Sequence, residues 1–142
     1  MKFPNGNNIG MPYLIDTNIA IHARDGDAQV LAKFTEHAGA TMLSSLSLAE
    51  MQRGLYKNPD LFAARARRLD ALLRAVRVLP FDAPAALAYG QIIAACGWSK
   101  GRDFDRMIAA HAIASRATFV TDNVADFHDI PGLAIENWLR EP

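Results

Sequence analysis

The chain has a single cysteine, Cys96, among its 142 residues. An intramolecular disulfide is therefore excluded, and a reducing, cytoplasmic setting is expected. Long apolar runs are missing too. The longest uncharged stretch, Ala83 to Ser99, is broken by Pro84, Gly90, Gln91 and Gly97 and is too short to span a bilayer. The first ten residues, MKFPNGNNIG, lack the apolar core of a signal peptide. They read as a flexible extension, with Met11 an equally good start, ahead of one domain over 11–142. There are no internal repeats or low-complexity tracts. Net charge is absent as well, since 15 basic residues balance 15 acids, so no global pull toward a polyanion is encoded.

What is present is ordinary globular composition with segregated charge. Hydrophobic residues make up 51% and charged residues 21%, which places the chain among folded rather than disordered sequences. From Arg53 to Arg77 seven basic residues face two acids, a net of +5; from Asp122 onward five acids face Arg140, a net of −4. Such a division suits an acidic cation site beside a basic slope, and equally suits solvated helix faces.

Short apolar runs alternate with helical patterns. Tyr13-Leu14-Ile15, Thr41-Met42-Leu43, Val78 to Phe81, Thr118-Phe119-Val120 and Leu133-Ala134-Ile135 read as strands. Helical spacing covers Ile19–His22, Val30–His37, Ser44–Leu55, Asp60–Val76, Ala83–Cys96 and Phe104–Arg116. Strands separated by helices predict an α/β three-layer sandwich, with a mainly parallel central sheet flanked by helices. Ligands in such folds bind at the carboxyl ends of the strands.

The acids fall where that crevice is expected. Asp16 follows the first strand, Glu50 lies in the helix after the second, Asp105 opens the 104–116 helix, and Asp122 and Asp126 follow the 118–120 strand. Carboxylates gathered in one crevice repel and resist desolvation, which a divalent cation offsets. Mg²⁺ is the expected ion, with Mn²⁺ suited to the same oxygens. Each acid also has a structural reading. Asp16 or Asn18 can cap a helix, and Ser47 with Glu50 matches a capping box. Asp103 or Asp105 can cap the next helix, and Asn123 to Asp126 suit a turn.

Five segments together resemble the PIN domain, and within it the VapC-like toxins of bacterial toxin–antitoxin systems. They are YLIDTNIAI, SSLSLAEMQRGL, VLPFDAPAALAYGQI, FDRMIAAHAIA and FVTDNVADFHDIPGLAIENW, and they span most of Met11 to Trp138. The resemblance implies a Mg²⁺-dependent endoribonuclease, silenced by a small VapB-like antitoxin and pairing as a homodimer, with structured tRNA a candidate substrate. It implies Asp16, Glu50 and Asp105 as core acids and Asp126 as the fourth, with Asp122 as a substitute and Asn123 as a neutral neighbour. Thr17, Asn18 and Ser45 match positions that hold the acids by hydrogen bonds. The chemistry is hydrolysis by water, leaving 5′-phosphate and 3′-hydroxyl ends, with one or two metal ions.

Beside Asp105, Arg102 and Arg106 are the candidates for RNA phosphate contact. His111, among alanines, reads as a packed core histidine, and Phe127, Leu133 and Trp138 read as core. Trp98, in a glycine-flanked loop, is an exposed aromatic for a base or a partner. A phosphotransferase that starts from an Asp nucleophile would want a second acid where Asn18 stands. A receiver domain would want a lysine after Val120, where none occurs. The remaining alternative is a catalytically inactive PIN-like module that binds RNA or protein.

Overall fold

The protein is described by a computed structural model covering residues 12–139, so the extension expected over residues 1–10 lies outside the described residues. Five strands form one sheet: β1 (Tyr13–Ile15), β2 (Thr41–Ser44), β3 (Arg77–Leu79), β4 (Thr118–Val120) and β5 (Ile135–Glu136). Their order is β3-β2-β1-β4-β5, and every pair is parallel. Six helices cover it: α1 (Thr17–Arg24), α2 (Ala28–Glu36), α3 (Ser45–Lys57), α4 (Phe62–Ala75), α5 (Ala83–Cys96) and α6 (Asp103–Ala114).

Strand alternation divides the core in two. Ile15, Leu43 and Val120 face a cluster with Ile19, Met51 and Leu69 on one side. Leu14, Met42 and Phe119 face Ile92, Ile108 and Phe127 on the other. Fully burying each large apolar side chain contributes about 1.5–3 kcal/mol, so two covered faces hold very short strands.

The register carries the functional consequence. Ile15 pairs with Leu43 and with Val120, so the residues that follow, Asp16, Ser44 and Thr121, arrive together at one sheet edge. Aspartates start three of the helices. Asp16 accepts from Ile19 N, Asp27 from Val30 N and Asp82 from Ala85 N, each satisfying an otherwise orphan donor. Pro84 occupies the first turn of α5, where its missing N–H is harmless, and Gly97, at φ 80°, supplies the backbone that ends it.

Several expected boundaries move. The predicted helix from Asp60 starts at Phe62, because Pro59–Leu61 forms a separate 3₁₀ turn. β3 stops before Pro80, which has no N–H to offer a ladder. β5 is two residues, later than predicted, while Leu133 packs against the core. The capping box predicted at Ser47 and Glu50 does not form. Helix α3 begins at Ser45, and Ser44 caps it through Leu46 N, which leaves Ser47 inside the first turn and Glu50 free to point elsewhere.

Candidate active site

At the carboxyl ends of β1 and β4 a cleft of about 340 Å³ is lined by Asp16, Thr17, Asn18, Glu50, Asp105, Asp122 and Asn123, with Ile21 and Phe127 as apolar wall. Asp16 and Asn18 come from the β1–α1 junction, Glu50 from the second turn of α3, Asp105 from the first turn of α6, and Asp122 and Asn123 from the loop after β4. Parallel register and short loops alone bring these separate stretches together.

Asp16 is both cap and cleft residue. Its Oδ1 accepts from Ile19 N at 2.8 Å, and the Thr121 side chain also hydrogen-bonds it. Burial nonetheless pushes its pKa up to about 6, against those two hydrogen bonds and with help from Asp122 and Asp105 nearby. Asp16, not Asn18, is therefore the cap of α1. Asp105 is also raised, first by burial and then by the charge of Asp126. The other acids are held by neutral donors. Thr17 Oγ1 lies 2.5 Å from Glu50 Oε1 and 2.9 Å from Ser47 Oγ. A single hydroxyl proton serves one acceptor, so Thr17 donates to the carboxylate and accepts from Ser47. Asn18 Nδ2 donates to Asp122 Oδ1 at 3.0 Å. Asn123 Nδ2 donates to Asp126 Oδ2 at 2.5 Å, which leaves the Asn123 carbonyl oxygen free.

Not every expected residue is here. Asp126 does not line the cleft; it stands behind Asn123, on a 3₁₀ turn, 3.9 Å from Arg102 Nη2. Asp122, expected only as its substitute, occupies the wall instead. Ser45 is turned away, and its hydroxyl accepts from Phe81 N at 3.0 Å. Arg106 is 3% exposed and pairs with Asp129 at 3.1 Å, so it braces α6 against the following loop rather than facing RNA. Arg102 is half exposed and stays at the rim. His111 is a core histidine as expected: it is buried, its Nδ1 is 2.8 Å from Ser44 Oγ, and burial lowers its pKa. Trp98 is 63% exposed, while Phe127 and Trp138 are core. Sequence reasoning missed Thr121 and gave Ser47 only a capping role; both are fully buried beside the acids. The signal for Thr121 was its place one residue past β4, level with Asp16 in register.

The donor set fits a hard divalent cation: carboxylate and amide oxygens, no sulfur, and mutual repulsion for an ion to relieve. Among the described residues no three acidic, histidine or cysteine side chains already converge closely enough to hold a metal ion by themselves. An open wall of carboxylates suits Mg²⁺, which takes few protein ligands and keeps its waters.

Comparison with known proteins agrees with the geometry. A family model described as the PIN domain matches residues 13–133. Ribonuclease VapC2 of Rickettsia felis is 34% identical over 90% of this chain and 98% of its own length. The tRNA(fMet)-specific endonuclease VapC of Shigella flexneri is 32% identical over 90% and 98%. A crystal structure of VapBC2 from Rickettsia felis, bound to a DNA fragment from its promoter, superposes with a TM-score of 0.80 at 32% identity, covering 90% of this chain and 99% of that one.

Proposed function

Since this chain belongs to the PIN-domain family, among the VapC ribonucleases, we propose that it is the toxin of a toxin–antitoxin pair and cuts RNA with the help of Mg²⁺ or Mn²⁺ held in the cleft. The observation that carries the reading is Asp16, a partly buried carboxylate that lines the cleft beside Asp105 and Asp122 and whose pKa desolvation pushes up to about 6. A fold retains such a charge at a cost that a cation offsets.

Asp16 and Asp105 are the direct ligands, with Asp122 and the side-chain oxygen of Asn123 lining the same cleft. Glu50, aimed by Thr17, orients the attacking water and accepts its proton. Asp126 does not touch the substrate; it holds Asn123 in place and draws Arg102 to the rim. A divalent cation bound there supplies activation of water and neutralisation of charge growing on the phosphate. Arg102 meets a neighbouring phosphate. No protein nucleophile takes part, so the ends produced are 5′-phosphate and 3′-hydroxyl.

A transfer RNA is the proposed substrate, by likeness to the tRNA(fMet)-specific Shigella relative. The inhibitor is a small VapB-like protein, by likeness to the VapBC complexes that share this fold, and the chain pairs as a homodimer. The inactive-module alternative is not favoured, because Asp16, Glu50 and Asp105 line one cleft with Thr17 hydrogen-bonded to Glu50. The test incubates purified protein and its Asp16→Asn variant with total RNA, with Mg²⁺, with Mn²⁺ and with EDTA. Cleavage by the unmodified protein that EDTA abolishes is expected. Equal cleavage by the variant, or cleavage surviving EDTA, would sink the carboxylate–metal reading.

A further inference from the structure

The interior of α3 contains a glycine that neither backbone nor packing demands. Gly54 has no positive φ, and a Cβ built there meets nothing within 4 Å. Glycine weakens a helix interior relative to alanine, and it is used where another molecule must approach the backbone. Helical phase sets Gly54 one turn beyond Glu50, toward the seam where α3 packs on α1. On α1 the corresponding position is Ile21, one turn past Thr17, and Ile21 lines the cleft. The cleft therefore reaches one turn down this seam.

The seam is flanked by cations. Arg53 and Lys57 lie one and two turns past Glu50 on the same side of α3, and both are exposed. Among the described residues neither makes an ion pair or hydrogen bond, whereas Arg102 and Arg106 do. Two cations without a partner, beside bare backbone, match the charge of a polyanion; the apolar pocket nearby, lined by Leu55, Tyr56, Pro59 and Phe62, lies at the C-terminal end of α3.

We propose that the seam between α1 and α3 carries the substrate strand out of the cleft, with its sugar–phosphate backbone against Gly54 and its phosphates on Arg53 and Lys57. The proposal rests on the ribonuclease reading above.

Two measurements test it. Fluorescence anisotropy reads binding of a labelled single-stranded oligoribonucleotide to Asp16→Asn protein, which does not consume it. Steady-state cleavage reads KM and kcat in the otherwise unmodified chain. Gly54→Ala and the double variant Arg53→Gln/Lys57→Gln are compared in both, with thermal melting as the control for folding. Gly54→Ala is expected to melt higher, yet to bind RNA about fivefold or more weakly and to raise KM more than it lowers kcat. The double variant is expected to lose about 1.4 from the slope of log affinity against log salt, two phosphate contacts at about 0.7 each. Unchanged RNA affinity in Gly54→Ala, or an unchanged salt slope in the double variant, overturns the proposal and leaves the seam to a protein ligand. If the unmodified protein cuts no RNA, the ribonuclease reading falls first, and the anisotropy arm still decides whether a strand lies here.

Discussion

Thr17 Oγ1 stands 2.5 Å from Glu50 Oε1, so a residue at the start of α1 aims a carboxylate two turns into α3. Hydrogen bonds to charged groups are worth about 1.5–3 kcal/mol, and removing a residue that orients a metal-site carboxylate typically costs about 10–100-fold. Thr17→Val is expected to lower kcat within that range and to lose about 1.5–3 kcal/mol of stability, and Thr17→Ser to recover most of both. Rate measurements at saturating Mg²⁺ check this; an unimpaired Thr17→Val enzyme would remove Glu50 from the mechanism.

Asp16 gives a pH dependence of definite sign. Its pKa rises from 3.8 to about 6 on folding, chiefly through burial. Between those values the folded chain binds more protons than the unfolded chain, so metal-free stability falls as pH climbs from about 4 to about 6 and then levels off. The penalty is of the order of 2–3 kcal/mol. Asp16→Asn keeps a capping side chain and removes the charge, so urea unfolding in EDTA should find it more stable than the unmodified protein at pH 7.5 and nearly equal at pH 4. Asp16→Ala loses the cap as well, about 1 kcal/mol, and confuses the two effects.

Mg²⁺ should raise the melting temperature of the unmodified protein, and more at pH 7.5 than at pH 5.5, since the ligand must be ionised. Asp16→Asn should not respond. An equal rise in the variant would place the ion elsewhere.

The two candidates for the fourth acidic place separate by titration. Asp122 lines the cleft, whereas Asp126 acts through Asn123 and Arg102. Half-saturation by Mg²⁺ should shift roughly tenfold in Asp122→Asn and only a few-fold in Asp126→Asn, as a positioning residue does at the low end of its range. The reverse order would return Asp126 to the ligand set.

Arg106 is a buried cation whose Nε and Nη1 have no hydrogen-bond partner among the described residues, where its ion pair is to Asp129. Desolvation offsets most of such a pair's attraction, so Arg106→Met should be close to neutral in urea unfolding. Arg106→Ala should lose about 2–4 kcal/mol through the cavity it leaves. KM for RNA should hold in Arg106→Met, because the side chain does not reach solvent.

The strands β1 and β4 and the helix α5 could be read from the sequence to the residue. Their signals are local: apolar runs of three bounded by polar residues, and a helix opened by Asp82 and Pro84 and closed by Gly97. The acids were legible for the same reason, each being the polar residue that follows or opens an element. Helix boundaries near Pro59 and the length of β5 were not, because pairing with a neighbour and competing turns decide them.

The sequence by itself determined that acids would follow strands, since strand and helix periods are written in neighbouring residues. Only the tertiary structure decided which of them share a cleft, because that depends on register between segments a hundred residues apart. Register aligned Asp16 with Thr121, turned Glu50 from Ser47 toward Thr17, put Asp122 in the wall with Asp126 behind it, and buried Arg106. Burial then raised the pKa of Asp16, a property that desolvation confers and that no local pattern records.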